Sequence, residues 1–292
     1  MSADSTQQRH RARHFSHQQV VTRRRFLGGA AVVVAAGAGM AALEYGLAAG
    51  SLDVSGSFYS RYRRTQVGYT IGYPTGHGPG SVLPLIVMLH GFGGNHTDAL
   101  SGMTPARAVS LYVNGEPLTP MALVTVDGGG GYWHPHPGDD PMDMVVHELI
   151  PMLQARGLGV PPHRIAAMGI SMGGYGAIAF AENYPHVFRA VAAISPAIFT
   201  TYAWVHYVNP GAYWSASDFA RYDAITHTAA LRGIPLRIAS GTEDPFHPWV
   251  EELVSALPPG AIVRFPPGGH TGSFFLSQEP PSLAFLSSHL RP

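Results

Sequence analysis

Beyond residue 50 the chain carries two kinds of apolar pattern. Residues 57–64 and 66–73 alternate polar side chains with aromatic or β-branched ones. That period of two marks half-buried strands and predicts an opening antiparallel pair. Six later segments are short, continuous apolar runs: 83–89, 122–126, 165–169, 190–194, 236–239 and 261–265. A strand that is apolar on both faces belongs in a parallel sheet covered on each side by helices. Helical patterns fall between them at about 142–156, 172–184, 248–256 and 280–290. Strand–helix alternation predicts an α/β fold with a mostly parallel, doubly wound sheet. Residues 200–223 break the rhythm. Tyr202, Trp204, Tyr207, Tyr213, Trp214, Phe219 and Tyr222 crowd this stretch. It reads as an insertion over the C-terminal edge of the sheet, where such folds bind ligands.

The first fifty residues follow another logic. Residues 22–27 read Thr-Arg-Arg-Arg-Phe-Leu, which resembles the twin-arginine export motif, with Arg23 and Arg24 as the pair. A Gly/Ala-rich apolar run follows to about residue 43. Basic first and apolar second is the order of an export signal. The run is short against the roughly 20 apolar residues of a membrane span. No strong cleavage signature stands out, so a cleaved signal and an uncleaved N-terminal anchor are both open. The expected organisation is an export segment over residues 1–50 and one catalytic domain over 51–292. The expected destination is bacterial periplasm, cell envelope or exterior, with association to membrane or envelope through the N-terminal segment.

Composition narrows the function. Hydrophobic residues make up 46% of the 292 and charged residues 12%, enough apolar material for a large core and too much for disorder. All 18 basic residues are Arg, and six of them lie in the first 25 positions. Sixteen of the 18 acids lie beyond residue 50, so the body is mildly acidic and offers nucleic acid no basic face. The absence of Cys excludes disulfides, thiolate metal sites and a Cys nucleophile.

The chemistry is carried by loops at the strands' C-terminal ends. Residues 169–173 read Gly-Ile-Ser-Met-Gly between a predicted strand and a predicted helix. A G-x-S-x-G element in that context is a nucleophile elbow, which makes Ser171 the nucleophile. Serine needs a base, and the base needs an orienting acid. In this arrangement the order along the chain is Ser, acid, His. His270, in Pro267-Gly-Gly-His-Thr after the last predicted strand, is the candidate base. The acid should follow strand 236–239, where Asp244 is the first choice and Glu243 its competitor. The oxyanion hole needs two backbone donors. Met172 N–H supplies one, and Phe92 N–H, or alternatively Gly93 N–H, supplies the second from the loop Leu89-His-Gly-Phe-Gly-Gly. His90 in that loop reads as structural. Residues 132–143 are rich in His, Asp and Pro, but a turn explains His134, His136, Asp139 and Asp140 better than a metal does. Trp133 in this loop and Trp204 in the insertion are expected to bind substrate. No cofactor and no metal is implied.

Taken together, six pieces give the chain a family resemblance: Leu89-His-Gly-Phe-Gly-Gly, Asp127-Gly-Gly, Glu148-Leu-Ile-Pro, Gly169-Ile-Ser-Met-Gly-Gly, Gly241-Thr-Glu-Asp-Pro-Phe and Gly269-His-Thr. In this order the chain resembles the esterase D and antigen-85 mycolyltransferase group of α/β-hydrolase serine esterases. The resemblance implies an α/β-hydrolase fold, Ser171, Asp244 and His270 as catalytic triad, and Phe92 and Met172 as oxyanion donors. It implies cleavage of a small-molecule or lipid carboxylic ester through an acyl-enzyme, or transfer of the acyl group to an alcohol. Antigen-85 proteins carry Glu as the triad acid, so Asp244 sets this chain closer to the esterases. Two other readings compete: a serine peptidase on the same fold, and a non-catalytic cell-envelope binding protein.

Overall fold

A computed structural model describes residues 50–161 and 164–290. The segment read above as an export signal lies outside the described residues. The strands are β1 (Leu52–Ser60), β2 (Thr65–Tyr73), β3 (Leu85–Leu89), β4 (Tyr112–Val113), β5 (Glu116–Pro117), β6 (Ala122–Val126), β7 (Ile165–Ile170), β8 (Phe188–Ile194), β9 (Leu236–Ala239) and β10 (Ile262–Arg264). Eight of them form one sheet in the order β1-β2-β6-β3-β7-β8-β9-β10, and β4 and β5 form a separate hairpin. β1 and β2 are antiparallel, in register from Leu52 opposite Tyr73 to Ser60 opposite Thr65. β2 also runs antiparallel to β6, and every later pairing in the sheet is parallel. This is the expected α/β-hydrolase sheet.

Burial explains why the central strands read so clearly. Every residue of β3, β6 and β7 is buried, as an apolar run covered on both faces requires. β1 is an edge strand and half exposed, so its first residues carry no pattern; it starts at Leu52, earlier than the alternation suggests. Residues 61–64, expected in that strand, form its turn instead, with Arg64 at φ 55°.

The helices are α1 (Pro105–Val109), α2 (Pro141–Met144), α3 (Ile150–Gln154), α4 (Met172–Asn183), α5 (Tyr202–Val208), α6 (Ala216–Arg221), α7 (His247–Ala256) and α8 (Gly272–His289). A π-helical turn, Val145–Leu149, joins α2 to α3, so one helical path covers the predicted 142–156. Pro151 has no N–H to return to the preceding turn, and the change from π to α geometry falls beside it. α8 starts well before the expected residue 280. Its start is set by Thr271, whose side chain accepts Phe274 N–H at 3.3 Å, and the helix runs on through Pro280 and Pro281. The insertion folds as α5 and α6, capped by Thr201 and Ser215.

One layer of the core sets Ile86, Met88, Met168 and Ile194 of the sheet against Val109 of α1 and Phe274, Leu283 and Leu286 of α8. α4 packs on β3, β7 and β8. Among the described residues no helix is long and apolar enough to cross a membrane.

Candidate active site

Ser171 sits between β7 and α4 at φ 58° and ψ −119°. A non-glycine residue held there stores strain of about 1–3 kcal/mol and persists only when its surroundings enforce it. The enforcement is visible. Ser171 N–H donates to Ile194 C=O at 2.9 Å, and Ser171 C=O accepts from Ala197 N–H at 2.9 Å and Tyr175 N–H at 3.1 Å. Two glycines make the turn physically accessible. A Cβ on Gly169 would lie 2.0 Å from Gly173 O, and one on Gly173 would lie 2.0 Å from Leu89 O. No side chain fits between β7, α4 and β3 at this point.

The other two predicted residues converge on Ser171. His270 Nδ1 lies 2.9 Å from Asp244 Oδ2, and His270 Nε2 lies 2.8 Å from Ser171 Oγ. A carboxylate only accepts, so Nδ1 carries the proton and Nε2 is left to accept the serine O–H. Asp244 is buried, and its other oxygen, Oδ1, accepts Phe246 N–H at 2.9 Å. Both carboxylate oxygens are thereby satisfied. Glu243, the competitor, is exposed, and its N–H donates to Gly268 C=O at 2.8 Å. The geometry chooses Asp244.

The loop after β3 runs beside the elbow. A Cβ on Gly91 would stand 3.5 Å from the Ser171 Cβ. Gly94 N–H closes the turn on Gly91 C=O at 3.1 Å, with Phe92 at its crest. Met172, as the first residue of α4, carries one of the N–H groups a helix leaves without an internal partner. The two predicted donors therefore belong to segments flanking Ser171. His90 anchors the loop from below. It is buried, Gly128 N–H donates to its Nε2 at 3.0 Å, and its Nδ1 faces Gly91 C=O at 2.8 Å. Burial lowers its pKa, which keeps the ring neutral for this paired role.

Trp133 requires a correction. It is wholly buried, its Nε1–H donates to His90 C=O at 3.1 Å, and its ring fills space left by Gly128 and Gly176. It holds the loop after β3 from behind and has no surface to offer a substrate. Trp204 is placed differently. It is partly exposed on α5, and its ring lies 6.2 Å from that of Trp249. Trp249 in turn meets Phe246, at 5.9 Å, and the Phe246 ring lies 5.1 Å from His270. An aromatic path thus links Trp204 to His270. Phe275 closes the opposite side, edge-on to His270 at 5.0 Å. The sequence gives Phe246 and Phe275 no role of their own, although Phe246 ends the Gly241-Thr-Glu-Asp-Pro-Phe motif and Phe275 lies just beyond Gly269-His-Thr.

The His/Asp loop is a braced turn. His134 Nε2 lies 2.6 Å from Ala212 C=O and His136 Nε2 lies 2.6 Å from Gly131 C=O, while Asp139 takes a two-pronged bond from Arg63 at 2.7 and 3.0 Å. Burial pushes the His134 pKa down to about 4, so the ring is neutral at physiological pH. Among the described residues no three His, Asp or Glu side chains group as metal ligands.

Comparison with known proteins bears on the fold and the family. No curated protein matches the chain in sequence. Among solved structures the fold is shared with a ferulic acid esterase (17% identity over 83% of this chain and 99% of that one, TM-score 0.65). It is shared with an S-formylglutathione hydrolase from Agrobacterium tumefaciens (18%, 85% and 99%, TM-score 0.64). It is shared too with MPT51 from Mycobacterium tuberculosis (15%, 86% and 100%, TM-score 0.60). At these identities the likeness is one of fold. The Esterase family model matches residues 61–258, most of the sheet together with the elbow and Asp244, and by that match the chain belongs to the Esterase family.

Proposed function

We propose that the protein cleaves carboxylic esters through an acyl-enzyme on Ser171, with water or an alcohol resolving the intermediate. The observation that carries this reading is the chain of contacts from Ser171 Oγ to His270 at 2.8 Å and from His270 to Asp244 at 2.9 Å. In the first stage Ser171 Oγ attacks the ester carbonyl as His270 Nε2 takes its proton. Asp244 steadies the imidazolium that forms. The N–H groups of Met172 and Phe92 receive the oxyanion, each such donor contributing about 3 kcal/mol to the transition state. His270 then returns the proton to the leaving alcohol. In the second stage water or an acceptor alcohol gives its proton to His270 and attacks the acyl carbon; the bond from that carbon to Ser171 Oγ then breaks, and His270 returns the proton to Oγ.

The alcohol oxygen has to come within reach of His270 Nε2, so groups beside that ring border the alcohol's site. Phe246, Phe275 and, farther out, Trp249 and Trp204 give that border an aromatic character. Trp204 is in this reading a substrate-binding residue. A neutral or aromatic alcohol fits such a wall better than a charged one.

Hydrolysis of p-nitrophenyl esters of increasing acyl length tests the proposal. Ser171→Ala should lower kcat by about 10⁴-fold or more with the fold intact. Asp244→Asn should cost on the order of 10³–10⁴-fold, and Glu243→Gln less than about threefold. Turnover by Ser171→Ala equal to wild type would end the triad reading. Turnover of peptides in preference to esters would replace it with a peptidase.

Export through the twin-arginine route, to the periplasm, envelope or exterior, is proposed on residues 22–43 alone. Fractionation of cells expressing the Arg23→Lys, Arg24→Lys variant should find the protein retained inside, whereas unchanged export would end the proposal.

A further inference from the structure

We infer that a groove at the opposite edge of the sheet is a second binding site, one for a phosphate group carried on an apolar body. The concavity has a volume of about 930 Å³ and opens at the N-terminal ends of β7 and β8. That size falls within the range of small-molecule sites, roughly 300–1,000 Å³. Arg164, Arg189 and Arg232 line it, and among the described residues no acidic side chain does.

What points to a ligand is that the three line one concavity; Arg64 and Arg107, exposed on other surfaces, also make no side-chain hydrogen bond or ion pair among the described residues. Elsewhere Arg63 is clamped on Asp139, Arg237 on Ser282 and Gln278, and Arg156 on Tyr69. Arg164, Arg189 and Arg232 make no hydrogen bond or ion pair with their side chains among the described residues. Three guanidiniums lining one concavity give it a positive field, which an anion of more than one charge would complement. The body holds sixteen acids, so anionic partners exist in the chain, and none is placed here. Guanidinium presents paired donors that match phosphate oxygens. The lining also includes Pro151, exposed, and Ile234, half-buried, which give a bare ion nothing and suit an apolar body.

The site is separate from the esterase chemistry. Arg164 precedes β7 and Ser171 follows it, and a strand of that length spans roughly 20 Å. A ligand here would leave Ser171 open. The ligand's phosphate can come from a phospholipid headgroup or from a soluble phosphate ester.

The test uses the full chain and its Arg164→Gln, Arg189→Gln, Arg232→Gln variant. All three residues are exposed, so Tm and p-nitrophenyl ester hydrolysis should be unchanged and certify the fold. Calorimetric titration with phenyl phosphate should show saturable binding by the wild type, tighter than inorganic phosphate, and weakened about tenfold or more in the variant. Co-sedimentation with phosphatidylglycerol vesicles, against phosphatidylcholine, separates the sources. Vesicle binding reduced in the variant assigns the phosphate to a lipid headgroup; equal vesicle binding beside weakened phenyl phosphate binding assigns it to a soluble ester. If the wild type binds neither probe, or the variant binds both as the wild type does, the groove is a solvated surface and the proposal falls.

Discussion

Two helices begin at the catalytic end of the sheet, α4 directly after Ser171 and α8 directly after His270, and they are held by different physics. α4 lies on the sheet through shape. Gly173 touches Leu89 backbone, Gly176 receives the Trp133 side chain, and Ala177, Ile178 and Phe180 are fully buried. Its buried acid, Glu182, lies at the far end, three turns from the elbow. α8 packs Phe274, Leu283 and Leu286 into the core and adds buried polar contacts beside them. Arg237, itself buried, donates to Ser282 Oγ at 2.8 Å and to Gln278 Oε1 at 3.0 Å. Thr119 N–H donates to Ser287 Oγ at 2.9 Å. Glu279 is wholly buried; its Oε1 accepts Ser101 N–H at 2.7 Å, and its Oε2 has no hydrogen-bond partner among the described residues. Ser171 is therefore positioned by close backbone packing, and the helix after His270 by hydrogen bonds and ionisable groups as well as by apolar contacts. Added volume should harm the first side, and a change of pH the second.

The largest effect is expected from Gly173→Ala. The new methyl would meet Leu89 O at 2.0 Å, Leu89 C at 2.5 Å and His90 O at 2.7 Å, all backbone atoms of the strand and loop that flank the elbow. Backbone cannot swing aside as a long side chain can. Overpacking here should cost about 3 kcal/mol or more. Chemical denaturation should report the loss, with activity falling as the oxyanion loop moves off Ser171. A variant as stable and active as wild type would mean that α4 is not seated by shape.

The second prediction concerns Glu279 and pH. Burial raises its pKa from 4.5 to about 7, against the opposing pull of the Ser101 bonds. In the unfolded chain the carboxyl is ionised above about pH 4.5. Folding then favours the protonated form, so the stability this group permits is fully present below the unfolded pKa and is lost as pH rises through about 7. The loss should approach about 3 kcal/mol above that pH, from a shift of that size. Glu279→Gln keeps an acceptor for Ser101 N–H and cannot ionise. Its Tm should fall less between pH 5 and 8.5 than that of wild type. Parallel curves would show that the polar face of α8 does not titrate in this window.

Why some of this could be read in advance and some could not follows from the same contrast. Strands β3, β6 and β7 are apolar on both faces, so each announces itself locally. The elbow and the loops carrying Asp244 and His270 combine Gly with reactive side chains at strand ends, again a local pattern. Trp133 could not be placed this way. Its burial depends on gaps at Gly128 and Gly176, residues apart from it in sequence and brought around it only by folding. α8 was misread at its start because Pro280-Pro281 resembles a first turn, while the true cap is Thr271. Glu279, among Ser277 and Gln278, looks like a solvent-facing residue; only the approach of Ser101 encloses it.

The smallest effect is expected from Phe275→Leu, and it bears on the contrast from the α8 side. Phe275 meets His270 edge-on at 5.0 Å and 84°, and it is partly exposed. Such a ring pair contributes about 0.5–1.5 kcal/mol beyond area burial. His270 has stronger constraints in its bonds to Asp244 and Ser171, at 2.9 and 2.8 Å. Losing the ring should leave that line intact, so kcat on a p-nitrophenyl ester should fall less than about tenfold. KM should rise for esters whose alcohol part packs on the aromatic wall and change little for methyl esters, because the missing ring borders the alcohol's site. A hundredfold loss of kcat, uniform across alcohols, would mean that the ring rather than the hydrogen bonds holds the imidazole. Shape would then govern both sides of the site, and the distinction between α4 and α8 would reduce to the titration of Glu279.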